Sequence, residues 1–99
     1  MNKRKYIIVA DSKKNPDMNI FYTNNNNGSF WTDSDSSSIK VFNTYSDAER
    51  VLYKLKYNNP RVELHSKLDD LLESNKEINR YINFLHKLFI VYQPLFNKY

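Results

Sequence analysis

The chain has no cysteine and only one glycine among its 99 residues. Without cysteine there are no disulfides, no thiolate metal ligands and no cysteine nucleophile, which fits a reducing cytosol. One glycine cannot build a G-x-G-x-x-G turn or a phosphate loop, because both need several positions where bare backbone approaches a phosphate. Long apolar runs are missing too. The longest, 88–92 (LFIVY), is far short of a membrane span. The start, MNKRKYIIVAD, is basic like a secretion signal, but its apolar stretch ends at Asp11, too early for an h-region. No membrane association is expected, and a cytoplasmic location follows. Histidine is scarce, with only His65 and His86, and neither is spaced with Ser or Asp as a catalytic set requires. Asp33 and Asp35 form a D-x-D pair on a serine-rich loop with no third ligand in sight, so no metal site is expected. No catalytic residue and no cofactor emerges, and the chain reads as a binding protein rather than an enzyme.

Charge is close to balanced. Fifteen basic residues oppose 11 acidic ones for a net +4, which tolerates a nucleic-acid or acidic partner without demanding one. It argues against a DNA mimic, whose binding face would be strongly acidic. What the chain has in quantity is aromatic surface: 8 Tyr, 6 Phe and one Trp, 15% of all residues. With 40% hydrophobic residues this is enough for one core and one domain.

The order of elements follows from local chemistry. Residues 5–10 (KYIIVA) and 19–23 (NIFYT) are β-branched and aromatic runs and predict two strands. Between them DSKKNPD carries turn chemistry, with Asn15 kept out of the helical region by Pro16. Asn27-Gly28 is a strong hairpin signal, since a type I′ turn needs positive φ at both central residues. It makes 24–28 a hairpin tip and 29–32 (SFWT) a third strand, in which Phe30 and Trp31 face opposite sides. Residues 33–38 (DSDSSS) are a solvated loop, and 39–42 a short extended piece.

Ser46-Asp47-Ala48-Glu49 reads as a capping box, predicting a helix over 46–57. Ala48, Val51, Leu52 and Leu55 face the sheet, and Arg50, Tyr53, Lys54 and Tyr57 form the opposite stripe. Asn58-Asn59-Pro60 stops that helix. Residues 61–65 (RVELH) alternate and predict a fourth, edge strand. From Ser66 the chain is helical. A second capping box, Ser74-Asn75-Lys76-Glu77, predicts a break near Ser74, and Pro94 a kink or an end. Leu68, Leu71 and Leu72 make the first apolar face, and Ile78, Ile82, Leu85, Phe89 and Phe96 the second. Tyr81, Phe84, Leu88, Val91, Tyr92 and Leu95 widen it beyond what packing on one sheet needs. That surplus leaves two outcomes open: burial in a cleft of the chain's own fold, or contact with a partner such as a second copy. The expectation is an α+β fold: an antiparallel sheet of three to four strands with one packed helix, spanning 1–65, and a helical tail, 66–99, packed on it in the same domain.

Two surfaces interleave basic and aromatic residues in a way that suits phosphate contacts and base stacking. Lys3, Arg4, Lys5, Lys13 and Lys14 flank the first strand, and Arg50 and Lys54 lie beside Tyr53 and Tyr57. The same residues also serve simply to solvate a surface and cover apolar seams.

"KYIIV", "IFYT", "FWTD" and "IKVFNTYSDAERVL" together resemble small accessory proteins of Gram-positive phages and prophages, which commonly show a tyrosine-rich hairpin, a Trp-Thr pair and a Phe-Thr-x-x-x-Ala turn into a helix. The likeness covers the first half of the chain, and the helical tail departs from the short versions. It implies an anti-defence product of the anti-CRISPR kind, working in the host cytoplasm by steric block of a CRISPR effector nuclease complex, and brings no catalytic residues. The partner-contact candidates are Arg50, Tyr53, Lys54 and Tyr57, with Asp33 and Asp35 able to pair with the basic lining of a nucleic-acid channel. Two alternatives stand beside this: a small nucleic-acid-binding regulator, and a homo-oligomer (a homodimer in the simplest case) joined through its C-terminal helix.

Overall fold

The computed structural model describes residues 3–23 and 30–97, with side chains through Phe89. It is an α+β fold. Strands β1 (Tyr6–Asp11), β2 (Asn19–Tyr22), β3 (Trp31–Thr32) and β4 (Arg61–Leu64) form one antiparallel sheet in the order β3-β2-β1-β4. Helix α1 (Tyr45–Leu52) and helix α2 (Leu68–Asn97) complete it. The predicted tip at 24–28, with its Asn27-Gly28 turn, lies outside the described residues, as does Ser29 of the third strand.

Period-two alternation sends the residues of β1 to opposite faces. Ile7 and Val9 join Phe21, Ile39 and Leu68 on one side, with Val41, Leu71 and Leu72 packed against them. Ile8 joins Phe42 and Ala48 on the other, with Tyr6, Tyr22, Trp31, Val51, Leu52, Leu55 and Val62 around them. β1 is thus buried on both faces, and Ile7, Ile8, Val9 and Phe21 are shut off from water, at about 2 kcal/mol of apolar transfer apiece. Register pairs Val9 with Phe21 and Ile8 with Val62. Where β1 and β2 part, residues 39–42 take over the pairing: Ile39 bridges Thr23, and Phe42 exchanges both backbone bonds with Tyr6 at 2.9 and 2.7 Å. Both sheet edges are blunted, β3 by its brevity and β4 by Arg61 and Glu63.

α1 starts and stops earlier than the 46–57 expected. Its N-cap is Thr44, whose hydroxyl accepts from the Asp47 N–H at 3.1 Å, so Ser46 sits inside the first turn and the Ser46–Glu49 box does not form. The four N-terminal N–H groups need only one such acceptor to set the start, and Thr44 reaches it first. After Leu52 the bonds shorten to i→i−3, Lys54 to Val51 and Leu55 to Leu52. This unwinding keeps Leu55 in the core and lets Asn58 bond Asp11 at 2.9 Å. Asn59 makes the turn at φ 52°, a left-handed conformation asparagine tolerates.

α2 is a single unbroken helix. The Ser74-Asn75-Lys76-Glu77 box caps nothing, because the preceding turn already supplies carbonyls to those N–H groups. Nor does Pro94 end the helix, which runs on to Asn97. Asn75 is instead a clamp. It is 2% exposed; its Oδ1 accepts from the Asn19 N–H at 2.9 Å, while its Nδ2 donates to the Asn19 carbonyl at 2.7 Å and the Asp33 carbonyl at 3.0 Å. Continuing the Phe21–Thr32 register, the strand opposite Asn19 would need Ser34, but β3 has already stopped. The Asn75 amide fills that slot. Beyond it the helix leaves the sheet. Ile78 is half-buried, and every residue from Asn79 to Phe89 is exposed. The radius of gyration, 17.2 Å, exceeds the roughly 13 Å of a compact chain this long, as a projecting arm requires.

Replacing Asn75 with leucine keeps the volume but strips partners from three backbone groups. Urea denaturation should show a loss of about 2–4 kcal/mol, against about 1 kcal/mol for Thr44→Ala.

Candidate interaction surfaces

The six candidate contact residues do not form one patch. Arg50 is exposed in the last turn of α1, where its charge also suits the helix dipole. Tyr53, one step past the helix, is 80% exposed, and Lys54 beside it is exposed as well. These three share one surface on the α1 side of the sheet. Tyr57 is drawn off into packing: its ring lies 5.0 Å from that of Trp31, with Lys13 Nζ 4.8 Å from the Tyr57 centroid.

Asp33 and Asp35 lie elsewhere. Asp33 borders a concavity shared with Leu72, Asn75, Lys76 and Asn79 of α2. Asp35 caps the short 3-10 turn Ser36–Ser38, accepting from the Ser37 N–H at 3.2 Å and the Ser37 hydroxyl at 2.6 Å. The Ser37 hydroxyl holds its carboxyl below the usual 3.8. Its lone pairs serve loop geometry. Among the described residues no three His, Asp or Glu side chains cluster closely enough to hold a metal ion.

Phe30 and Trp31 do not separate cleanly to opposite faces. Trp31 packs edge-on to Tyr22 with centroids 5.9 Å apart, and Phe30, 53% exposed, stacks on the same Tyr22 at 6.5 Å. Phe30 precedes the strand, so strict alternation does not bind it.

Two further surfaces emerge. Lys3, Arg4 and Lys5 line a concavity of about 440 Å³ with Leu64, His65 and Ser66. Its walls come from the start of the chain and from the end of β4, because the His65 N–H bonds the Lys5 carbonyl at 2.8 Å. The other is the α2 arm, on which Tyr81 is 63%, Phe84 57% and Phe89 60% exposed, beside Ile82, Leu85 and Leu88. Burial of this face in the chain's own fold, one of the two outcomes the sequence allowed, does not occur among the described side chains. The clamp was missed in the sequence, although a signal was present: Asn75 interrupts an otherwise apolar row running from Leu71 to Ile78.

No known protein family, curated protein or solved structure matches the chain. No helix among the described residues is long and apolar enough to cross a membrane.

Because the folded carboxyl of Asp35 titrates below its unfolded value, its contribution to stability is present above the unfolded value and fades as pH falls through the folded one. Asp35→Asn should lower the urea midpoint at pH 6, and the gap should close as pH drops below 3.8.

Proposed function

We propose that this chain is a non-catalytic interaction protein that blocks a host CRISPR effector nuclease complex by steric contact, in the manner of the phage accessory proteins its first half resembles. The observation that carries the reading is Tyr53, which stands almost fully exposed between Arg50 and Lys54. A rigid aromatic beside an arginine is the usual make-up of an interface hot spot. The flanking cations would steer the encounter toward an acidic surface, while the tyrosine holds the complex once water is excluded. Thr44 caps the helix that leads into them and Ala48 is buried against the sheet, so the backbone is already ordered and binding costs the rotamer freedom of the three side chains.

A second reading is supported by the Lys3, Arg4, Lys5 and His65 concavity, whose charge suits a phosphate backbone. A nucleic-acid regulator built on it would lose affinity steeply with added salt. A gel shift at low salt that disappears at high salt, and weakens in a Lys3→Ala, Arg4→Ala, Lys5→Ala variant, would support this reading, and no retardation at low salt would dispose of it.

The inhibitor reading predicts co-purification with the host's CRISPR effectors and reduced interference in cells. Tyr53→Ala should weaken that binding by about thirtyfold, the loss of a hot-spot residue. Recovery of no effector, together with unimpaired interference, would remove the proposal.

A further inference from the structure

We propose that the α2 arm pairs antiparallel with the arm of a second copy of this chain. This goes beyond the inhibitor reading and uses a different surface. The six large apolar side chains from Tyr81 to Phe89 leave roughly 600 Å² in water, as much as the largest patch of a typical monomer. Among the described residues none lies over them, since every residue from Asn79 to Phe89 is exposed.

Spacing identifies the occupant. Ile78, Ile82, Leu85 and Phe89 alternate four, three, four along the helix. In the sequence the same alternation continues to Tyr92 and Phe96. A repeat of 3.5 residues keeps a stripe facing one neighbouring helix over its whole length. A helix lying on a lipid surface meets no partner helix and has no need of that period. A second row, Tyr81, Phe84 and Leu88, runs beside the first with its own three-four spacing and widens the contact. The other positions of the arm carry Asn79, Arg80, Asn83, His86 and Lys87, a polar face for the outside.

Antiparallel pairing sets the direction by opposing the two helix dipoles. It also places the two sheets at opposite ends. Matching the apolar positions sets Leu85 against Phe89 of the other copy. At the root of the arm, Ile78, Tyr81, Ile82 and Leu85 share a groove of about 360 Å³ with Asn15, Asp17 and Glu77. The pair then presents two α1 surfaces, so a target with two sites would be held by avidity.

The full-length chain is tested by light scattering at high micromolar concentration, with Ile82→Glu/Leu85→Glu as the disrupting variant and Arg50→Ala as the control. The expected result is an assembled wild type and control, and at least a twofold fall in mass for the double variant. Trp31 fluorescence should stay unchanged there, because both positions lie outside the core, and the urea midpoint of the double variant should equal that of the wild type diluted until it is monomeric. With no native cysteine, disulfide trapping reads the register: Leu85→Cys mixed with Phe89→Cys should cross-link, and Leu85→Cys alone should not. A monomeric wild type would overturn the proposal, as would a double variant that stays assembled. So would Leu85→Cys cross-linking to itself, or a monomer that binds anionic phospholipid vesicles through the arm. Each of these readouts is independent of effector binding, which Tyr53→Ala reports separately.

Discussion

A single buried amide decides how this molecule is put together. Asn75 offers one acceptor and two donors, and Asn19 and Asp33 present one N–H and two carbonyls that the truncated third strand leaves behind. Each side satisfies the other's hydrogen-bonding capacity, away from water, where an unpaired group would cost about 1–3 kcal/mol. The bond set is directional, so it fixes where along α2 the helix meets the sheet and the angle at which it leaves. Leu68, Leu71 and Leu72 supply apolar burial on the near side of that point, but burial alone is non-directional and would allow the helix to slide.

The remaining architecture follows from that anchor. Among the described side chains the helix is held over its first turns only, so the apolar residues from Tyr81 to Phe89 cannot fold back onto the sheet without breaking the clamp or bending the helix. The other face of the sheet is closed by α1 and the aromatic group around Tyr22. Its rings meet edge-on at Trp31 and near-parallel at Phe42, arrangements that favour aromatic contacts. Contact chemistry therefore ends up on two opposite surfaces, a compact cationic–aromatic one beside α1 and an extended apolar one along α2. The proposed contact with a target uses the first, and the proposed self-pairing uses the second.

Much of this was legible in the sequence. The α+β class, the four strands and their order along the chain come directly from β-branched runs and turn chemistry, because those signals are local. The faces of α1 were legible too, since Ala48, Val51, Leu52 and Leu55 are spaced for one side. Helix ends were not. Thr44 and Ser46 both make sound caps, and it is the Thr44 hydroxyl that accepts, from the Asp47 N–H. Likewise Ser74-Asn75-Lys76-Glu77 has the composition of a start signal, yet the carbonyls of the preceding turn and the backbone of Asn19, 56 residues away, claim the same groups. Long-range pairing of this sort leaves only a faint local trace, one polar residue in an apolar row. Of the candidate contact residues, Arg50, Tyr53 and Lys54 lie together. The departures of Tyr57 to Trp31 and of Asp35 to Ser37 depend on how the chain turns after Leu52 and Thr32.

Amide hydrogen exchange measured residue by residue reads the clamp most directly. The account predicts that the Asn19 backbone N–H and the Asn75 side-chain amide protons exchange slowly in the native protein. It also predicts that Asn75→Ala exposes Asn19 to rapid exchange while Ile7, Ile8 and Val9 stay protected. Rapid exchange of Asn19 in the unaltered chain, or protection there that survives loss of the Asn75 amide, would contradict it.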